Sequence, residues 1–174
     1  MLHTYKGQSM SVPPDELRET MRLWTSGIVV VTAADRDHRA GVTVSSFTSV
    51  SLTPPLVLVC LQKGIYALEM LRQTGAFAAS MLRAGQSQLS AQFAGFTPLP
   101  ENADRFYNVE MYSAVTGAPI LADALAWVDC RLHAVYDGGG SEIVVGEVLA
   151  TGRQAGAAPL AYHNRAYHTL HPQG

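Results

Sequence analysis

The run from Ala40 to Leu61, AGVTVSSFTSVSLTPPLVLVCL, carries three signals in succession. Gly41, Val42 and Val44 open an apolar alternation. Six hydroxyl residues then fall within nine positions: Thr43, Ser45, Ser46, Thr48, Ser49 and Ser51. Pro54-Pro55 punctuates the chain, and Leu56 to Leu61 is almost wholly apolar. This order reads as a strand, a polar loop, a rigid corner and a buried strand. Small hydroxyls held between buried strands suit a planar polar ligand with phosphate or carbonyl oxygens. The plainer reading is a Ser/Thr-rich loop that satisfies its own turns, and composition alone favours it.

Outward from this run the chain alternates short strands with a few helices. Pro13-Pro14-Asp15-Glu16 starts a helix whose apolar side is Leu17, Met21 and Leu23. Ile28 to Thr32 is a β-branched buried strand. Ile65–Gln73 and Gln86–Ala94 read as helices, and Phe77–Leu82 as the strand between them. Gly95 to Thr116 reads as a loop that is only mildly structured. Ala126–Tyr136 and Ile143–Thr151 form a hairpin across the turn Asp137-Gly138-Gly139-Gly140-Ser141. Many short strands with few helices predict a closed β-barrel with helical decoration.

Composition sets the bounds. The chain has 174 residues, 48% of them hydrophobic and 15% charged, which predicts one domain with a sizeable core. Residues 1–14 read as a flexible lead-in, and 15–174 as the single domain. A net charge of −2 with scattered basic residues gives no general attraction to nucleic acid or anionic membrane. No apolar run approaches the ~20 residues of a membrane helix. Cys60 and Cys130 sit in apolar strands and read as buried thiols, so the expected compartment is cytoplasmic. The low charged fraction hints at a covered surface, as in a homodimer.

At Val42–Leu61, VTVSSFTSVSLTPPLVLVCL, the chain closely resembles the flavin-binding segment of the short-chain flavin reductases. These are the reductase components of two-component flavin monooxygenases, with the FMN-binding split β-barrel fold. RLWTSGIVVVTA (22–33), FAASMLRAGQSQLSAQFA (77–94), Arg105-Phe106, GAPILADALAWVDCR (117–131), IVVGEV (143–148) and PLAYHNRAY (159–167) match the family in order. The resemblance implies a mostly β, Greek-key-like split barrel with peripheral helices. It implies FMN or FAD as cofactor, NADH or NADPH as co-substrate, a separate monooxygenase as partner, and a homodimer.

By the same resemblance, Thr43, Val44, Ser45 and Ser46 face the flavin ring and its ribityl-phosphate chain. Trp24 and Thr25 lie at a corner near the flavin, though core packing is the commoner fate of a Trp. Leu61, Gln62 and Lys63 end the buried strand; Lys63 either neutralises the flavin or is a solvated surface lysine. Ser80 stands where the family often has Asn, and Gln86 matches a frequent family Gln. Arg165 and Tyr167 belong to the nucleotide side, where an Arg fork suits a phosphate. At the hairpin turn, Gly139-Gly140-Ser141 replaces the family's Gly-Asp-His, whose histidine is associated with the nicotinamide nucleotide. Gly139 and Ser141 are therefore candidates for nucleotide contact.

His163, His168 and His171 read as structural or solvated rather than as a metal cage, and no serine sits in a nucleophile elbow. No acid–base residue is expected, because hydride transfer needs stacking geometry above all. Three readings follow: an NAD(P)H:flavin oxidoreductase, a flavin-binding electron-transfer or sensor protein without nicotinamide turnover, and a cofactor-free interaction barrel.

Overall fold

The structure, a computed structural model, describes residues 11–170. The expected flexible lead-in therefore lies largely outside the described residues, as does His171. In chain order the elements are α1 (Pro14–Met21), β1 (Ser26–Gly27), β2 (Val29–Ala34), β3 (Arg39–Val44), β4 (Phe47–Leu52) and β5 (Pro55–Gln62). Then come α2 (Tyr66–Thr74), β6 (Ala76–Met81), α3 (Ser87–Ala94), β7 (Met111–Tyr112) and β8 (Ile120–Leu121). The long strands β9 (Ala126–Gly138) and β10 (Ser141–Arg153) and the short β11 (Leu160–His163) and β12 (Ala166–Thr169) complete the chain.

A seven-stranded antiparallel sheet in the order β3-β2-β6-β9-β10-β5-β4 forms the body. Its two edge strands, β3 and β4, are joined by only Ser45-Ser46. The sheet coils into a split β-barrel rather than a ring closed by hydrogen bonds, which corrects the closed barrel expected from the strand pattern. Val31, Val57, Val59, Leu61, Phe77 and Val144 fill its interior, and Leu68 and Leu71 of α2 plug one end. α2 is amphipathic and stops at Gly75, whose φ of 67° is available to glycine at little cost. At Gly146 a Cβ would collide with the Phe77 ring, so β10 can cross the core there only without a side chain. A second cluster of Ile28, Val30, Leu82, Phe93, Phe106 and Leu160 lies under α3, with Phe93 and Phe106 edge-to-face at 4.9 Å.

Three expectations change. Only Ser45-Ser46 of the hydroxyl-rich segment is a loop: Thr43 belongs to β3, and Thr48, Ser49 and Ser51 belong to the edge strand β4, where Phe47↔Val59 through Leu52↔Pro55 pair across the Thr53–Pro54 corner, which has a cis peptide bond. Thr48 and Ser49 are exposed and Ser51 is half-buried; what the edge position leaves unpaired is one row of β4 backbone groups. The loop from Gly95 contains β7, which pairs with β8; two-residue strands are too short to show a period. The apolar side of α1 is not buried: Leu17, Met21, Leu23 and Trp24 are all exposed. No helix among the described residues is long and apolar enough to cross a membrane.

Candidate functional site

A cleft of about 410 Å³ opens where the split faces the α1 end of the molecule. Ser45 and Ser46 form one wall. Arg18, Arg22 and Trp24 come from α1 and its exit, and Tyr162, Asn164 and Arg165 from the β11–β12 hairpin. That hairpin is tied to the barrel through β1, in the register Ser26↔Tyr162 and Gly27↔Ala161. Its two-residue turn, Asn164-Arg165, has both φ values positive, 49° and 63°, as a type I′ turn requires. The hairpin and α1 are laced together across the cleft. Arg22 donates to Asn164 Oδ1 at 2.8 and 3.1 Å, and Arg165 pairs with Glu19 at 3.0 Å. Arg18 pairs with Asp15, and Arg22 with Glu19.

Ser45 and Ser46 follow the last residue of β3 and precede the first of β4, so their N–H groups lie outside the paired ladders. The Ser46 hydroxyl is spent on the fold: it donates to Cys60 O at 2.8 Å and accepts from Cys60 N–H at 3.2 Å. Ser45 is exposed to the cleft, and among the described residues its side chain has no hydrogen-bond partner. Thr43 points the other way and donates to Ser90 O at 2.7 Å. Tyr167 shares that wall, with its hydroxyl 2.9 Å from Ser90 Oγ and its ring 5.4 Å from Tyr162. Val44 packs half-buried against the barrel core. Trp24 is 70% exposed at the cleft rim, so core packing is not its role. Thr25 is bonded to His163 Nδ1 at 2.9 Å, which engages that histidine in the hairpin.

A second group gathers at the far end of β5. Lys63 pairs with Asp137 at 2.5 Å, and its N–H donates to Gly140 O at 3.2 Å. Asp137 also accepts from Gly139 N–H at 3.1 Å, and Gly139 has φ 78°. The Lys63 ammonium beside it, with help from the Gly139 amide, holds the Asp137 carboxyl below its ordinary range. Ser141 lies opposite Gln62 and Gly138 in the sheet. Thus Gln62, Lys63, Gly139 and Ser141 form one surface. Gln62 also borders a separate hollow of about 680 Å³ beside Tyr66 and Arg105.

The third group lies inside. Leu61 is a core residue, leaving only its backbone for other work. Ser80 is fully buried, and its hydroxyl accepts from Leu121 N–H at 3.1 Å, which anchors β8 to the sheet. Gln86 accepts from Arg83 N–H at 2.9 Å and donates to Asp123 O at 3.0 Å, fixing the loop before α3. The structure does not bring these side chains to the cleft. Arg18, Arg22 and Asn164 are at the cleft but were not singled out from sequence. For Arg18 and Arg22 the available signal was their i, i+4 spacing at the end of α1, which puts both on one side of the helix; Asn164 had no comparable signal. Cys60 and Cys130 are both free, and burial pushes the Cys130 thiol up to about 12, leaving it unreactive.

The seam thus opens on a cleft lined by seryl groups, arginines and aromatic rings, a set suited to a flat ligand that carries phosphate. The family model described as "Flavin reductase like domain" matches residues 21–171, and the chain belongs to that family. An NADH-dependent FAD reductase of Streptomyces globisporus is 38% identical over 139 residues, covering 79% of this chain and 75% of the relative. An FMN reductase (NADH) of Rhizobium rhizogenes is 34% identical over 155 residues, covering 89% and 88%. Among solved structures, the flavin reductase component of a bacterial two-component tryptophan halogenase superposes with a TM-score of 0.82 at 32% identity, covering 92% of this chain and all of that one.

Proposed function

We propose that this chain is an NAD(P)H:flavin oxidoreductase that supplies reduced FMN or FAD to a separate monooxygenase. The observation that carries the reading is the seam. The Ser45 and Ser46 amides lie outside the paired ladders, between the two edge strands, and both residues line a cleft rimmed by Trp24, Tyr162 and three arginines. Those amides suit carbonyl and ring nitrogen atoms, the aromatic rings suit a flat ligand, and the guanidinium groups suit phosphate. When bound, a flavin accepts hydride at N5 from the C4 position of a reduced nicotinamide. The chain's own part is to hold two planes in contact. The Ser45–Ser46 seam fixes one, the turn at Gly139–Ser141 guides the other, and no side chain moves a proton. Thr43, Val44, Thr25 and Tyr167 act as the backing of the cleft, and Lys63 holds the turn through Asp137. The buried side chains of Leu61, Ser80 and Gln86 support the walls.

The reading is tested by anaerobic stopped-flow reduction of flavin by NADH and NADPH. Bleaching of the flavin band at saturating nucleotide is expected. A second reading, flavin binding without nicotinamide turnover, is favoured by one residue: Ser141 stands where the family's turn carries a histidine. No bleaching at millimolar NADH or NADPH would select it. If hydride transfer does occur, Ser141→His should lower the Michaelis constant for NADH about five-fold, the worth of one added contact, with little change in the maximal rate.

A homodimer belongs to the same proposal. β5, β10 and β9 turn Leu58, Cys60, Ile143, Val145, Ala134 and Tyr136 to the face opposite the core, in the rows Leu58↔Val145↔Ala134 and Cys60↔Ile143↔Tyr136. Of these Tyr136 is exposed, Val145 is buried and the rest are half-buried within the chain, and a second copy would cover what remains open. Sedimentation at micromolar concentration should give twice the chain mass; a monomer that still binds flavin would remove the dimer from the account. Residues 15–174 are taken as one domain and the compartment as the cytoplasm, in keeping with two free thiols.

A further inference from the structure

Glu142 is an acid in an apolar place. It follows Ser141 on β10, lies on the same side of the strand as the core residue Val144, and is 8% exposed. Arg72, in the last turn of α2, donates to its Oε1 at 2.6 Å. Among the described residues its Oε2 has no hydrogen-bond partner. A half-satisfied buried carboxylate is a cost to folding, and an apolar pair of similar volume would serve stability as well or better. The pair therefore calls for a reason other than stability.

The topology supplies one. β6 pairs with β9 only as far as Ala76↔Arg131. Beyond that point the β9–β10 arm has a sheet neighbour on one side alone, β5. Its other side is held by the C-terminal end of α2, where Leu132 N–H donates to Gly75 O at 2.8 Å and Arg72 reaches Glu142. The Arg72–Glu142 contact is the tie nearer the turn, one residue from Ser141. Lys63 holds the turn from the β5 side. The turn is thus fixed between two ion pairs; the two cations are about equally exposed, but Glu142 is nearly covered where Asp137 is open, so salt screens Lys63–Asp137 the more.

We infer that Arg72 and Glu142 are positioning residues that set the affinity for the nicotinamide dinucleotide by fixing the Gly139–Ser141 turn. The inference rests on the assignment of that turn to the nucleotide. Neither residue touches the ligand; each acts through the neighbouring backbone. Glu142→Gln keeps the shape and removes the charge. It should raise the apparent dissociation constant for NADH, read from the concentration dependence of stopped-flow flavin reduction, about five-fold. The limiting reduction rate and the flavin affinity should hold at wild-type values. Arg72→Gln, at a half-exposed helix position, should do the same, and the double variant should be no worse than either single one because both break the same tie.

Ser141→Tyr is measured in parallel. If it weakens NADH while Glu142→Gln and Arg72→Gln do not, the inference fails and the turn assignment stands. If Ser141→Tyr also leaves NADH affinity unchanged, the turn assignment fails and takes the inference with it. A fall in melting temperature in Glu142→Gln and Arg72→Gln with unchanged NADH affinity would make the pair purely structural.

Discussion

Replacing Asp129 with Ala is expected to lower stability by about 3 kcal/mol and the melting temperature by about 6–12 °C. Asp129 is fully buried on β9, yet it carries a network. Its carboxylate accepts from Val115 N–H at 2.6 Å, from Thr116 N–H at 2.9 Å and from the Thr116 hydroxyl. Thr116 Oγ1 in turn accepts from Ala118 N–H at 3.2 Å. The acid thus pins the irregular segment that leads into β8 against the sheet. Hydrogen bonds to a charged acceptor contribute about 1.5–3 kcal/mol each, and removing the acceptor leaves donors unpaired. Val115 is exposed, so water recovers part of the loss there, which brings the expected figure below the sum for three such bonds. Asp129→Asn should lose about half as much, since an amide oxygen still accepts but the amide nitrogen faces donors. Thermal unfolding within 2 °C of wild type for the Ala variant would refute this account.

Asp129 also shows why part of the molecule was legible in sequence and part was not. In the phrase AWVDCR, an acid inside an apolar strand looks like an outward-facing residue. Its partners, Val115 and Thr116, lie in a segment with no periodicity, so nothing local announces the clamp. The same holds for Ser80, which resembles a ligand donor until Leu121 is seen to occupy it. By contrast, β2, α2 and the β9–β10 hairpin were readable, because β-branched runs and apolar faces repeat within each segment. The two strands of the hairpin run further than expected, through Gly138 and Arg153, since pairing continues where side chains have already become exposed. The cleft was half legible. Ser45, Ser46, Trp24 and Arg165 were candidates, but they joined Arg18, Arg22 and Asn164 only when the β11–β12 hairpin folded back onto β1 and α1.

The same contrast decides how the seam should be probed. Ser45→Leu is expected to weaken flavin binding about 50-fold with a melting temperature within about 2 °C of wild type. Ser45 lies outside both ladders, is exposed, and has no side-chain hydrogen-bond partner among the described residues, so the fold loses little when it is replaced. The added side chain enters a cleft of only about 410 Å³, where overpacking of a fitted site costs about 1–3 kcal/mol, and 50-fold falls inside that range. Ser46 is a poor probe of the same question. Its hydroxyl bridges the Cys60 carbonyl and amide, so Ser46→Leu should lower stability and flavin affinity together. Trp24→Ala separates the ring platform from the seam: the residue is rim-exposed, and its loss should weaken flavin by less than ten-fold. Fluorescence quenching of FMN and FAD on titration with each variant measures all three. A folded Ser45→Leu protein that binds flavin as tightly as wild type would mean that the ligand lies elsewhere than against the split between β3 and β4.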